Sequence, residues 1–363
     1  MEATAPDCIA AVFEGVPQQI VLRRFPLPAP AAEEVLVRIL GCTICGSDLH
    51  SFSGRRTVPV PTVLGHEFVG EIVRFGETTL RIDFAGEKLS EGSRISWGIV
   101  ASCGKCFFCQ QSLPQKCLRG SKYGHEPFHR MRQLSGGFAE YCLLVPGTTI
   151  VRVPDELPLE VACPASCATA TVAAACAAAS DLRGRTICIC GAGILGLTAS
   201  AMSREMGAAK IVVVDPIELR RNLALEFGAT TVAAPEEFAH VANEQFGSLG
   251  VDLFFECSGS ANAFQSVWPL VRTGGTIVLI GSVFPGPTVP IALEQIVRRH
   301  LTIKGVHNYA AHDLVAAVAF LSMTHRRYPF GRLVSEWFSL NSIADAFRIA
   351  AQPASIRVGV RPM

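Results

Sequence analysis

Fourteen cysteines and nine histidines among 363 residues supply much of the chemistry this chain can do, and two groups of them have ligand spacing. Cys103, Cys106, Cys109 and Cys117 stand as C-x2-C-x2-C-x7-C in a stretch rich in Gly, Lys, Gln and Pro. Four thiolates this close along a chain can close a tetrahedral shell around zinc with no position left open, and such a site is structural. The same residues could otherwise be surface thiols or the ligands of an iron–sulfur cluster. A second group is scattered: Cys45-Gly46-Ser47-Asp48-Leu49-His50, then Gly65-His66-Glu67, then Cys163 and Cys167. One Cys, one His and a second Cys from different loops give three protein ligands and leave a fourth position for water or an alcohol. Taken singly, Cys45 reads as a buried thiol and His66 as a core histidine. The third ligand is open, because a helix would put Cys163 and Cys167 on one face.

The elements that must position these groups fall into two patterns. Through the N-terminal third, short apolar runs alternate with Pro, Gly and charge, as in residues 20–22, 35–40, 68–73 and 141–145, which reads as a β-rich domain with exposed loops. From about residue 170 to 305 strands alternate with helical segments, and this argues for a doubly wound parallel sheet, an α/β arrangement. Its first turn is Gly191-Ala192-Gly193-Ile194-Leu195-Gly196, where the apolar run 186–190 stops and a helix-like segment follows. Gly191 allows the turn, Gly193 lets backbone approach a pyrophosphate, and Gly196 lets helix and strand pack closely, with Ile194 and Leu195 opening the helix whose dipole favours the anion. A second apolar strand, 210–214, ends in Asp215 about 20 residues on, where a ribose diol would donate to the carboxylate. That carboxylate would repel a 2′-phosphate and so favours NAD, while Arg220 and Arg221 nearby keep NADP open or else form a solvated helix face. We expect boundaries of 1–168, 169–306 and 307–363, the last stretch returning to the first domain because it is too short to found another.

Composition narrows the function classes. Lys plus Arg number 32 against 31 Asp plus Glu, so no global field favours nucleic acid or an anionic membrane. No N-terminal stretch joins basic residues to an apolar core and a cleavage site, so a cytoplasmic location is expected and metal ligands or buried thiols are the default reading of the cysteines. Residues 161–180 carry no formal charge, but they are mostly Ala, Thr, Ser and Cys with Pro164 inside, which suits a buried helix rather than a membrane span.

Together these motifs resemble the zinc-containing medium-chain alcohol dehydrogenases, on the polyol and threonine dehydrogenase side of that family, over nearly the whole chain. The residues that carry the resemblance are Cys45 to His50, Gly65-His66-Glu67-Phe68-Val69-Gly70, the four-cysteine lobe, Gly136-Gly137-Phe138-Ala139-Glu140-Tyr141, the turn at 191–196, and residues 251–259. The resemblance implies a GroES-like β-rich catalytic domain joined to a Rossmann domain, two zinc ions (one catalytic, one structural), and NAD or NADP. By position, Cys45, His66 and Cys167 would hold the catalytic zinc, Glu67 would sit beside it as a support or an exchangeable ligand, and Asp48 would orient the ligating histidine. Ser47 would take the alcohol proton and His50 pass it to solvent; their plainer readings are a helix cap and a loop histidine. Thr171 would lie near the nicotinamide, and Arg357 would reach the pyrophosphate. Two departures stand out: Ser93 replaces the usual Asp of a Gly-Asp-Arg-Val turn, and residues 80–90 look inserted.

The implied reaction is hydride transfer between a small-molecule alcohol or carbonyl compound and the nicotinamide, in a homodimer or homotetramer. The alternative is a non-catalytic nucleotide-binding or structural member of the same fold, against which the intact Cys45, Ser47, His50, His66 and Cys167 set argues. The substrate side rests on Ser51-Phe52-Ser53-Gly54-Arg55-Arg56, a loop that faces the substrate in this family. Paired Arg55 and Arg56 suit a phosphate or phosphonate group, and the stretch resembles a subgroup associated with phosphonate catabolism. Cyclitol, polyol and sugar-phosphate substrates are the near alternatives, and a solvated loop is the bland one. Lys122, His125 and His307-Asn308-Tyr309 are further substrate-side candidates, or else surface and hinge residues.

Overall fold

The computed structural model describes residues 7–128 and 133–362. The chain separates into two compact units, one made of residues 1–170, 310–325 and 330–363, the other of 171–309 and 326–329.

In the first unit, the strand Val35–Thr43 is the hub of a seven-stranded sheet, pairing antiparallel with Glu67–Phe75, Tyr141–Leu144 and Arg357–Arg361. Its run of aliphatic residues is buried on both faces, as expected where other layers cover a sheet, and its charged Arg38 reaches across to Glu71 at 3.0 Å. Register shifts between Leu36 and Val37 and between Ile39 and Gly41 mark irregularities in the pairing with Glu67–Phe75. Such bulges re-aim the end of a strand, and beyond the second one Thr43 stands opposite Glu67. The strand Arg357–Arg361 lies between Val35–Thr43 and Val334–Ser339, so the C-terminal segment completes this sheet. Behind Glu67, Phe68 stacks on Trp97 with ring centroids 3.8 Å apart, and Tyr123 meets both edge-on. Phe68 and Trp97 are fully buried, each contributing about 1.5–3 kcal/mol by area, and this rigid block backs the strand that carries the site. Residues 80–90 make a small irregular hairpin pinned by Asp83, whose carboxylate accepts the Glu87 and Arg152 N–H groups, each at 2.8 Å. Ser93 closes the preceding turn, its hydroxyl accepting the Ser90 N–H at 2.9 Å.

The second unit is a six-stranded, wholly parallel sheet in the order Thr231–Ala233, Lys210–Val214, Thr186–Cys190, Val251–Glu256, Val271–Leu279, Thr302–Gly305. In chain order this is 3-2-1-4-5-6, the doubly wound dinucleotide-binding arrangement, with the reversal of direction beside Thr186–Cys190. The inner strands are continuous buried apolar runs, which only a sheet covered on both faces requires.

The uncharged run 161–180 is not one helix. It breaks into Leu159–Ala162, a 3-10 turn Cys163–Ser166, and Ala168–Ala179, with Cys167 at the break in a non-helical conformation (φ −133°, ψ −77°). Among the described residues no single helix is long and apolar enough to cross a membrane.

Candidate metal centres and cofactor turn

Cys45 precedes the short helix Gly46–Phe52 with extended backbone (φ −83°, ψ 157°). Asp48, in the first turn, is 1% exposed and organises the neighbourhood. Its Oδ2 accepts the Cys45 N–H at 2.9 Å, and its Oδ1 accepts the Gly65 N–H at 3.2 Å and lies 3.3 Å from His66 Nδ1. His66 Nδ1 faces this carboxylate, and Nε2 is turned to the other side, where Ser47 Oγ stands 3.1 Å away. The Cys45 and Cys167 sulfurs are 3.9 Å apart, and the ligand atoms of Cys45, His66 and Cys167 all lie within 4.8 Å of one another. A zinc–sulfur bond of about 2.3 Å implies sulfur–sulfur edges of about 3.8 Å in a tetrahedral shell, so the spacing is that of one shared ion. A divalent ion therefore fits this donor set, and the carboxylate behind the imidazole is the usual support for a ligating histidine.

Cys163 is excluded from this set by the backbone. The 3-10 turn and the break at Cys167 defeat the expectation of one shared helical face, and the buried Cys163 sulfur packs beside Gly41 on the central strand. Electrostatics agree with a proton standing where a cation would sit. The hydrogen bond from Cys167, aided by Arg357 and His66, holds the Cys45 thiol well below its ordinary pKa against burial, while that of Cys167 rises correspondingly. Burial disfavours charged His66, yet the Asp48 and Cys45 charges overcome it and push the imidazole up to about 10.

Glu67 is fully buried. Thr43 Oγ1 donates to it at 2.7 Å, and Arg357 grips both oxygens through Nε (2.8 Å) and Nη2 (2.9 Å). Burial still raises the Glu67 pKa to about 7 in spite of the arginine. The Arg357 guanidinium also donates to the Ile356 carbonyl and the Cys45 sulfur. The neighbouring strand explains this: Ile44 N–H donates to the Val358 carbonyl, which draws the start of Arg357–Arg361 against Cys45.

The four-cysteine lobe forms a second cluster, again with its sulfurs within 4.8 Å. Cys106 and Cys109 are 3.5 Å apart and Cys106 and Cys117 3.8 Å, spacing that leaves room for one ion and not for an iron–sulfur cluster. Backbone N–H groups of Cys109 and Leu118 aim at the Cys106 sulfur and lower its pKa to about 6, and the Cys103 N–H donates to the Cys117 sulfur at 3.2 Å. The loop thus aims backbone donors at the Cys106 and Cys117 sulfurs, while burial and the neighbouring sulfurs push the Cys109 thiol up to about 11.

In the second unit Gly191 has φ +95°, and a Cβ at Gly196 would strike the Gly191 carbonyl oxygen, so both positions favour glycine. Gly193 precedes the helix Ile194–Glu205, which Ile194 and Leu195 open. Asp215, 4% exposed, accepts the Ala192 and Ile217 N–H groups at 2.7 and 2.8 Å. Arg221 donates to the Asp215 and Pro216 carbonyls, and Arg220 lies on the same helix, Glu218–Glu226. Thr171 is buried on Ala168–Ala179. Sequence reasoning missed Glu256: fully buried at the end of Val251–Glu256, it accepts from Ser258 N and Oγ, Gly259 N and Ser282 Oγ at 2.6–2.9 Å. It thereby ties the Ser258 loop against Gly191, and the only signal was an acid closing an otherwise apolar strand before Cys-Ser-Gly.

On the substrate-side loop the structure separates the two arginines. Arg55 is exposed, whereas Arg56 is half-buried with Nη1 2.6 Å from His125 Nε2.

Comparisons with known proteins follow the same division. Residues 31–155 match the alcohol dehydrogenase GroES-like domain and residues 195–323 the zinc-binding dehydrogenase family. An L-threonine 3-dehydrogenase of Anaeromyxobacter dehalogenans is 30% identical over 343 residues, 92% of each chain, and one from Coxiella burnetii is 34% identical over 297 residues, covering 79% of this chain and 80% of that one. Among solved structures, an alcohol dehydrogenase from Thermotoga maritima superposes with a TM-score of 0.93 at 27% identity, covering 99% of this chain and all of the other. A zinc-binding dehydrogenase from Sinorhizobium meliloti, bound to NADP, gives 0.85 at 27% identity over 98% of this chain and all of the other. With this fold, these donor clusters and these relatives, the chain belongs to the zinc-dependent medium-chain alcohol dehydrogenase family.

Proposed function

We propose that this dehydrogenase interconverts an alcohol and its carbonyl compound with NAD, using zinc on Cys45, His66 and Cys167, while zinc on Cys103, Cys106, Cys109 and Cys117 is structural. Residues 1–168 and 307–363 would serve the metal and substrate, and 169–306 the cofactor. The observation that carries the reading is the pair of sulfurs 3.9 Å apart beside a histidine whose far nitrogen faces Asp48 and whose near nitrogen is 3.1 Å from the Ser47 hydroxyl. When bound, zinc supplies a Lewis acid that lowers an alcohol's pKa from about 16 toward neutrality, and the nicotinamide accepts the hydride. Ser47 is placed to take the hydroxyl proton, but a serine cannot retain it at neutral pH and must hand it on. His50, at the last turn of the same helix, is the outlet; burial and the Arg55 charge hold its pKa below the usual value, keeping it neutral and able to accept. Glu67, clamped by Thr43 and Arg357, supports the metal set from behind. The buried Asp215 carboxylate supports NAD over NADP, and Thr171 is assigned to the nicotinamide side.

The substrates we consider are polyols, cyclitols and alcohols bearing phosphate or phosphonate. Leu293 and Val297, exposed on the helix that precedes the edge strand Thr302–Gly305, support assembly into a homodimer or homotetramer, which light scattering tests. Metal analysis should find two zinc ions per chain, and one in Cys45→Ser or His66→Ala, both still folded and binding NAD. A Cys45→Ser protein with wild-type turnover of an alcohol panel would refute the assignment. Asp215→Ala should weaken NAD by about 1–3 kcal/mol and NADP by less; equal losses would move Asp215 away from the ribose.

A further inference from the structure

The strand Glu67–Phe75 is held at its start by two serine side chains rather than by another strand. It pairs with Arg94–Trp97 at Gly70 and Glu71. Alternate residues of an extended chain turn their backbone groups to the same edge, so Phe68 faces the side that Gly70 faces, beyond the end of that ladder. There the Phe68 carbonyl accepts from Ser96 Oγ at 2.9 Å, and the Phe68 N–H donates to Ser166 Oγ at 3.2 Å.

Ser166 is fully buried in the 3-10 turn Cys163–Ser166. Its hydroxyl stands 3.2 Å from the His66 carbonyl oxygen and 3.5 Å from that of Cys163. A hydroxyl both donates and accepts, so one Oγ takes the Phe68 N–H and offers its proton to the nearer of these carbonyls, that of His66. It brackets Glu67 as a peptide of a paired strand would. Alanine at this place would remove both bonds and deprive a buried amide of this acceptor.

The tie spans 100 residues of sequence and touches the surroundings of two metal-ligand candidates at once. His66 is one of them, held at its ring by Asp48 and at its carbonyl by Ser166. Cys167 is the other and follows Ser166 directly, its N–H closing on the Pro164 carbonyl at 3.3 Å. Its backbone leaves the helical path (φ −133°, ψ −77°), so the place of its sulfur depends on where the preceding turn is pinned. The result is a sulfur 3.9 Å from that of Cys45.

Resting on the reading of Cys45, His66 and Cys167 as a metal centre, we propose that Ser166 is a positioning residue of that centre. Its hydroxyl fastens the break at Cys167 to the backbone on either side of Glu67, so that the two sulfurs stand at metal-binding distance before an ion arrives. Ser96 supplies the contrast. It is equally buried and bonds to the same Phe68, but from a strand that bears no ligand, so it serves stability alone.

The test competes the zinc-loaded, full-length protein against a chromogenic chelator, with Cys45→Ser reporting the share of zinc held by the four-cysteine lobe. Ser166→Ala should lower zinc affinity at the Cys45 centre by about 10–100-fold. Ser96→Ala, with a comparable fall in melting temperature, should bind zinc as wild type does. Ser166→Thr, which keeps the hydroxyl, should lie nearer to wild type than Ser166→Ala. A second measurement needs no substitution. After chelator has withdrawn zinc from the Cys45 centre of wild type, dibromobimane, which joins thiols a few ångströms apart, should bridge Cys45 to Cys167, identified by peptide mass; this decides the matter should Ser166→Ala not fold. Unchanged zinc affinity in Ser166→Ala, equal losses in Ser166→Ala and Ser96→Ala, or a wild type that forms no bridge overturns the proposal. A Cys45→Ser protein that holds as much zinc as wild type instead removes the metal centre itself, and the proposal with it.

Discussion

Asp48 shows how much one buried carboxylate can organise, since it joins the Cys45 and Gly65 backbone to the His66 ring. Asp48→Asn keeps the shape but presents a neutral group to Nδ1, so the ring loses both its orientation and its basicity. We expect zinc affinity at the Cys45 centre to fall by about 10–100-fold, read by competition with a chromogenic chelator, with the four-cysteine centre unaffected; equal affinity would remove Asp48 from the site.

At the scale of elements, the chemistry sits where regular structure ends. Cys45 precedes a helix, His66 precedes the strand that Glu67 opens, Cys167 occupies a break between helical pieces, and Gly191 follows a strand. Glu256 extends the pattern, because its four hydrogen bonds hold the Ser258 loop beside the cofactor turn. Removing the charge by Glu256→Gln turns several acceptor contacts into mismatched ones in a fully buried place. We expect a loss of about 1–3 kcal/mol in stability together with weaker NAD binding, measured by denaturant unfolding and by fluorescence titration. An unchanged protein on both counts would show that the loop holds itself.

At the scale of the molecule, the four-cysteine lobe is a loop with few fully buried apolar side chains of its own, and Phe107 and Leu118 are exposed. In the proposed reading, metal binding substitutes for a core. Cys109→Ser should lower the melting temperature and remove one zinc per chain, whereas Cys45→Ser should remove one zinc with a smaller thermal effect, because the strands around that centre have their own packed core. A Cys109→Ser protein that melts like wild type would contradict a structural role for the lobe.

The fold class could be read from the chain because it depends on local pattern. Buried apolar runs, the G-x-G-x-x-G turn and the acid after the second strand express backbone preference and burial within a few tens of residues, and the parallel sheet follows from their alternation. The C-x2-C-x2-C-x7-C spacing is local in the same sense, since fourteen residues separate its ends. What only the tertiary structure decided involves partners far apart in sequence. Arg357 meets Glu67 across 290 residues, Arg56 meets His125 across 69, and Cys167 rather than Cys163 turns toward Cys45 across 122. No periodicity encodes such meetings. They follow from strand register, from a helix that breaks where the sequence looks continuous, and from the need of each buried charge to find a counter-charge or a hydrogen bond once packing has removed its water.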